Sequence, residues 1–178
     1  MRNISYLNVD ESIERRKLLY KEGVLDKIDF FLYIFMSAVF TYFLYSSYKD
    51  LENNNQNELI FNFLLFLVAV FSYYLLYRKF DEYRLKKIET DNSRAVNKQK
   101  IIQYAASKGY ELYRNSADCI ILNEDTTSSS YCITIIILLK NSDVFFTVIR
   151  DGFKTNTPTI ISHIFIKNDL KKILTKSL

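Results

Sequence analysis

Two long stretches without a charged residue dominate the hydropathy pattern, Phe30–Ser47 over 18 positions and Leu59–Tyr77 over 19. A bilayer core ~30 Å thick is crossed by ~20 apolar residues rising ~1.5 Å each, so both runs are long enough to span. The second reads LIFNFLLFLVAVFSYYLLY, with Asn62 as its one amide. The first, FFLYIFMSAVFTYFLYSS, is mostly Phe, Leu, Ile and Val but carries Ser37, Thr41, Ser46 and Ser47. The pattern predicts a transmembrane hairpin over residues 28–77. A chain of 178 residues has too little else to wrap two all-apolar helices in a soluble core. A cleaved signal peptide does not fit either: the first run follows a charged stretch and no small-residue cleavage pattern precedes the second.

Before the hairpin, residues 1–27 form an amphipathic segment. Residues 10–28 place Ile13, Leu18, Leu19, Val24, Leu25 and Ile28 at broadly helical spacing, with Asp10 or Ser12 as cap and Gly23 as a weak point. Such a helix either lies on the inner leaflet or packs against the rest of the protein. After the hairpin, RKFDEYRLKKIE contains no helix breaker, so residues 78–92 are expected to continue as a helical stalk.

Residues 93–178 are expected to form a separate domain. Ser93 caps a helix that ends at Gly109, with Ala95, Ile101, Ile102, Ala105 and Ala106 available for its buried face. The texture then changes to short runs rich in Ile, Val, Tyr and Phe: YELYR, DCIILN, YCITIIILL and VFFTVIR. EDTTSSS separates the second from the third, and Asn141, Ser142 and Asp143 mark a tight hairpin turn. The unbroken apolar run Ile133–Leu139 implies a strand covered on both faces. Thr159–Ile166 reads as a fifth strand, and Asn168 as the cap of a last helix, DLKKILTKSL. The fold class is therefore an α+β membrane protein: an N-terminal helix, a two-helix transmembrane hairpin, and a cytoplasmic domain of antiparallel sheet with flanking helices.

Charge sets the orientation. The first 27 residues hold Arg2, Arg15, Arg16, Lys17, Lys21 and Lys27, whereas the link between the apolar runs has Lys49 against Asp50, Glu52 and Glu58. Arg78, Lys79, Arg84, Lys86 and Lys87 follow the second run. The positive-inside rule places both termini in the cytoplasm and the Asn53–Asn55 link outside, in the bacterial inner membrane. Interfacial tyrosines (Tyr33, Tyr45, Tyr48, Tyr73, Tyr74, Tyr77) agree. Beyond Tyr77 there are 17 Lys and Arg against 11 Asp and Glu, a net of +6, which suits contact with anionic lipid. Tyr104, Tyr110, Tyr113 and Arg114 would be the start of a nucleic-acid patch, without a focused pattern.

Little in the chain carries catalytic chemistry. There is one histidine, His163, and no Cys/His cluster, HExxH, phosphate loop or GxSxG elbow, so no enzyme, cofactor or metal is expected. Cys119 and Cys132 lie in apolar runs and are expected as buried thiols. The most suggestive pattern is in the membrane. Asp29, Tyr33, Ser37, Thr41 and Tyr45 recur at every fourth position of the first helix, and Asn62, Ala69 and Tyr73 share a face of the second. Polar residues in lipid turn toward other helices or toward water, so this stripe either packs or lines a path in an oligomer.

The basic N-terminus, the Phe-rich hairpin and the small basic domain after it resemble the two-helix membrane proteins of bacterial anti-phage loci, and among them the accessory membrane protein of type VI-B CRISPR systems. The resemblance is one of layout. It implies a homo-oligomeric membrane pore that strengthens defence beside an RNA-guided ribonuclease. It also implies a HEPN-like Arg-x4–6-His signature, which is not present here: twelve residues separate Arg150 from His163. A second resemblance is to two-helix effectors of cyclic-oligonucleotide defence, which carry a β-barrel sensor. The expected function is a non-enzymatic effector that alters membrane permeability. The alternative is a membrane-tethered sensor or adaptor binding a nucleotide, RNA or protein. No residue pattern selects a small-molecule ligand.

Overall fold

The computed structural model describes residues 6–20, 24–49, 56–124, 131–152 and 158–175. The Asn53–Asn55 link, Gly23 and most of the EDTTSSS connection lie outside the described residues.

The two apolar runs form long helices, α2 (Val24–Lys49) and α3 (Gln56–Asp81), which pack against each other. Both are long and apolar enough to cross a membrane, and the chain itself covers almost none of them. Only 6% of the Phe30–Ser47 window and 11% of the Ile60–Asp81 window is buried. No other part of the described chain wraps the hairpin.

The rest is an α+β fold built on one antiparallel sheet. Its strands are β1 (Lys86–Ile88), β2 (Tyr110–Asn115), β3 (Cys119–Glu124), β4 (Tyr131–Lys140) and β5 (Asp143–Gly152), in the order β1-β5-β4-β3-β2. Lys140 pairs with Asp143 across a two-residue turn, and Asn141 takes the left-handed backbone (φ 56°) that such a turn requires. A bulge interrupts β2 between Leu112 and Arg114.

Side chains alternate across a sheet, so an unbroken apolar strand feeds two cores. Ile135, Ile137 and Leu139 of β4 face α4 (Arg94–Lys108) and α5 (Ser162–Thr175), with Ile101, Ile166, Leu170 and Leu174. Ile136 and Leu138 face the other way, onto Leu7, Ile13 and Leu18. The sheet's second cover is thus the N-terminal segment, the packing alternative of the two open to it.

Helix α4 begins and ends as its sequence predicts. The Ser93 hydroxyl accepts from the Val96 amide, and Gly109 caps the end at φ 72°. Its buried face differs, however. Asn97 and Tyr104 join Ile101 and Ala105, while Ala95 and Ala106 are exposed. Asn97 donates to the Ser142 carbonyl (3.0 Å) and to Thr90 Oγ1 (2.8 Å), tying the helix to the β4–β5 turn.

Four expectations are corrected. The helix over 10–28 is only α1 (Val9–Glu14), capped by Asn8 rather than Asp10 or Ser12. Ser12 instead folds the chain back, accepting from the Leu19 amide at 3.0 Å. The stalk over 78–92 is not helical throughout: α3 stops at Asp81, Leu85 enters the core, and residues 86–88 become the edge strand β1. Thr159–Ile166 is not a strand, since β1 occupies the fifth place in the sheet. Finally, the last helix starts at Ser162, not at Asn168, because Ile166, Leu170 and Leu174 at four-residue spacing make one buried helical face.

Candidate functional site

The polar stripe of α2 does not act as one unit. Ser37 is buried, with its Oγ 3.0 Å from Ser72 Oγ on α3, and it donates to the Tyr33 carbonyl at 2.9 Å. Thr41 Oγ1 lies 2.6 Å from the Tyr73 hydroxyl and 2.7 Å from the Ser37 carbonyl. Back-bonding to the carbonyl four residues earlier is how Ser and Thr satisfy themselves in apolar helices. Ala69, almost fully buried, lets the helices approach closely. Tyr33 is half-buried and Tyr45 is exposed. The side chain of Asp29 lies outside the described residues. Asn62 is half-buried, and its Oδ1 is buried with no hydrogen-bond partner.

A second cluster forms where α3 meets the sheet, and the sequence reading missed it. Arg78 and Lys79, taken there as topology signals, are 3% and 0% exposed. Arg78 donates from Nε to the Thr159 carbonyl (3.1 Å) and from a terminal nitrogen to Thr159 Oγ1 (3.2 Å), and it pairs with Asp81. Asp81 also accepts from Lys86 Nζ at 3.0 Å. Lys79 lies 3.9 Å from Glu82, both fully buried. Glu82 accepts from the Thr159 amide (3.3 Å) through its carboxylate and from the Thr147 hydroxyl (2.6 Å) through its carbonyl. One turn earlier, the Tyr74 hydroxyl donates to the Ile160 carbonyl at 2.9 Å. The available signal was the spacing: Arg78–Asp81 and Lys79–Glu82 are both i,i+3 pairs at the end of α3.

His163 stands beside this join. Burial first, then the charges of Arg78 and Lys86 with a smaller part from Lys167, push its pKa down to about 4, against the opposing pull of Asp81. It is neutral at pH 7, and its Nδ1 is buried without a partner. Among the described residues no group of His, Cys, Asp or Glu is arranged to hold a metal ion. Tyr104 is core rather than a stacking surface, its hydroxyl 3.4 Å from Asp169 and its pKa raised chiefly by burial. Cys119 is fully buried, which pushes its thiol pKa up; Cys132 is partly buried.

Beyond the join, Ile161, Ile164 and Phe165 leave large apolar surfaces uncovered at the start of α5, beside Ile160. No family model matches the chain, and no curated protein or solved structure matches it significantly.

Proposed function

We propose that the chain is a membrane-anchored, non-enzymatic transducer of the bacterial inner membrane: the hairpin crosses the bilayer, both termini are cytoplasmic, and the α+β domain acts as a sensor or adaptor geared to the hairpin. The observation that carries this reading is the join. Arg78, which donates to Thr159, and Glu82, which accepts from Thr147 of β5 and from the Thr159 amide, fix the end of α3 to β5 and to Thr159, with Lys79 buried beside Glu82. A ligand or partner that shifts the domain must therefore move α3 with it. The uncovered belt of Phe, Leu and Ile on both helices supports the bilayer setting. The exposed Ile161, Ile164 and Phe165, held beside Tyr74, fit the interfacial zone of that bilayer.

A second reading, the homo-oligomeric effector that alters permeability, is favoured by Asn62. An unsatisfied amide oxygen in hydrocarbon costs several kcal/mol, and a helix from another copy would supply its donor. Against a path lined by the polar stripe stands the use of Ser37 and Thr41 inside the hairpin. The link to RNA-guided defence machinery rests on the likeness in layout alone.

A membrane-potential dye in cells separates the two. Normal potential during overexpression and phage challenge supports the tethered transducer, and collapse supports the permeability effector. A periplasm-dependent reporter should be silent at Leu178 and active within Asn53–Asn57; the reverse would overturn the orientation.

A further inference from the structure

The N-terminal segment and the tail of α3 meet in a short antiparallel contact. Leu18 N donates to the Tyr83 carbonyl (2.7 Å), Leu85 N donates to the Arg16 carbonyl (3.0 Å), and Lys17 is bridged to Arg84. Residues directly opposite in an antiparallel pair carry their side chains on the same side, a few ångströms apart, where like charges destabilise the pair. Lys17 and Arg84 are such a pair. Arg16, next to them, holds a left-handed backbone (φ 50°), which is unfavourable for a residue with a Cβ. Arg15 is bound to Glu11 at 2.7 Å, but among the described residues Arg16, Lys17 and Arg84 have no ion-pair partner.

These cations surround a pocket of about 320 Å³, whose walls are Arg15, Arg16, Lys17, Phe80, Tyr83 and Arg84. The aromatic side of the pocket is fixed. Tyr83 stacks on Tyr20 with ring centroids 6.1 Å apart, and Phe80, 57% exposed, meets the edge of Phe30 at 5.0 Å. Phe80 belongs to the last turn of the apolar helix, so the pocket opens where the hairpin's apolar surface ends.

We propose that this pocket binds a phosphate ester, supplied by an anionic lipid headgroup of the adjacent leaflet. A phosphate group offers several acceptor oxygens to the guanidinium and ammonium groups and relieves their mutual repulsion. Phe80 would lie along the glycerol and upper acyl chain. Basic pockets at the cytoplasmic end of membrane helices are suited to this chemistry. The lipid source rests on the hairpin being embedded in a bilayer; recognition of phosphate by the pocket does not.

The test uses full-length protein in phosphatidylcholine nanodiscs with a minor fraction of phosphatidylglycerol. Lipids retained after detergent washing are counted by mass spectrometry. In parallel, detergent-solubilised protein is dialysed against inorganic pyrophosphate and ADP. Wild type should enrich phosphatidylglycerol, and Arg16→Gln/Lys17→Gln/Arg84→Gln should reduce the enrichment by at least about tenfold, since each basic side chain near an anionic surface contributes roughly fivefold. Lys171→Gln/Lys172→Gln, on α5, should leave it unchanged. Arg84→Gln alone guards against misfolding of the triple variant. It removes the like-charge pair, so it should melt no lower than wild type in phosphatidylcholine and lose the stabilisation that phosphatidylglycerol gives wild type. Saturable pyrophosphate or ADP binding that the triple variant loses, without lipid enrichment, would keep the phosphate site but overturn the lipid source. Enrichment that survives the triple variant, or no binding of either kind by wild type, would overturn the proposal.

Discussion

The Ser37 hydroxyl lies 3.0 Å from the Ser72 hydroxyl, and both are buried between α2 and α3. In a Cys119→Ala/Cys132→Ala background, Ser37→Cys/Ser72→Cys should form an intramolecular disulfide under mild oxidation, visible as faster migration on a non-reducing gel. Ser37→Cys alone should resist a small water-soluble thiol reagent. Ready labelling would mean that position 37 faces water. Because such interhelical bonds average only ~0.6 kcal/mol, Ser37→Ala should leave the hairpin assembled.

Arg78→Met should destabilise the protein far more than a surface change. It removes the donor to the Thr159 carbonyl and leaves Asp81 with Lys86 as its remaining ion-pair partner. Breaking a buried pair from one side costs ~3–5 kcal/mol. Arg78→Lys should recover little, since a single ammonium nitrogen cannot occupy the separate guanidinium positions that reach the Thr159 carbonyl, its hydroxyl and Asp81. Thermal unfolding in detergent measures the loss, and limited proteolysis should cut first near the join. A variant within ~0.5 kcal/mol of wild type, the range of neutral surface substitutions, would remove the join from the account of coupling.

His163 gives the protein an acid-side weakness. Its folded pKa of about 4 lies below the 6.5 of an ordinary imidazole, so the unfolded chain takes up the proton first. Its effect is absent above pH ~6.5, and stability declines as pH falls from there toward 4. His163→Gln should flatten this part of the curve relative to wild type. Parallel curves over pH 6.5–4.5 would show that burial and the charges of Arg78 and Lys86 do not hold the imidazole neutral.

The start of α5 should sit in lipid. A polarity-sensitive fluorophore on Phe165→Cys, in a background without Cys119 and Cys132, should report an apolar setting in nanodiscs. The same label on Lys167→Cys, also exposed, should report water. Equal, aqueous signals would leave Ile161, Ile164 and Phe165 free for a protein partner.

Much of the fold was legible because its signals are local. An uncharged run of bilayer length, the Ser93 and Gly109 caps, and the Asn141–Ser142 turn each act within a few residues. What escaped depends on distant segments. Lys86–Lys87–Ile88 has no strand pattern of its own and pairs only because β5 offers it an open edge at Phe146, Phe145 and Val144. Ile160–Ile166 is apolar enough for either a strand or a helix. The choice was made by Ile166, Leu170 and Leu174 packing on the sheet. Arg78 and Lys79 read as topology charges because nothing near Arg78 reveals that distant Thr159 will accept from it. Asn97 was not among the residues expected on the buried face of α4 for the same reason, its partners being Thr90 and Ser142. In the candidate site, the spacing of Ser37 and Thr41 was legible, but their partners Ser72 and Tyr73 were not.

Strand β1 follows α3 by a few residues yet pairs with β5, and Arg78 is bound to Thr159, near the end of the chain. On the ribosome, the helix and its edge strand emerge long before the segments that complete them. During that interval Arg78 and Glu82 lack the partners that Thr147 and Thr159 supply. When β5 and residues 158–161 arrive, they supply those partners and fix the end of α3. In the membrane setting proposed above, the arrival of β5 and Thr159 would act as a latch on the hairpin's depth, and a chain truncated before Thr159 would lack that latch.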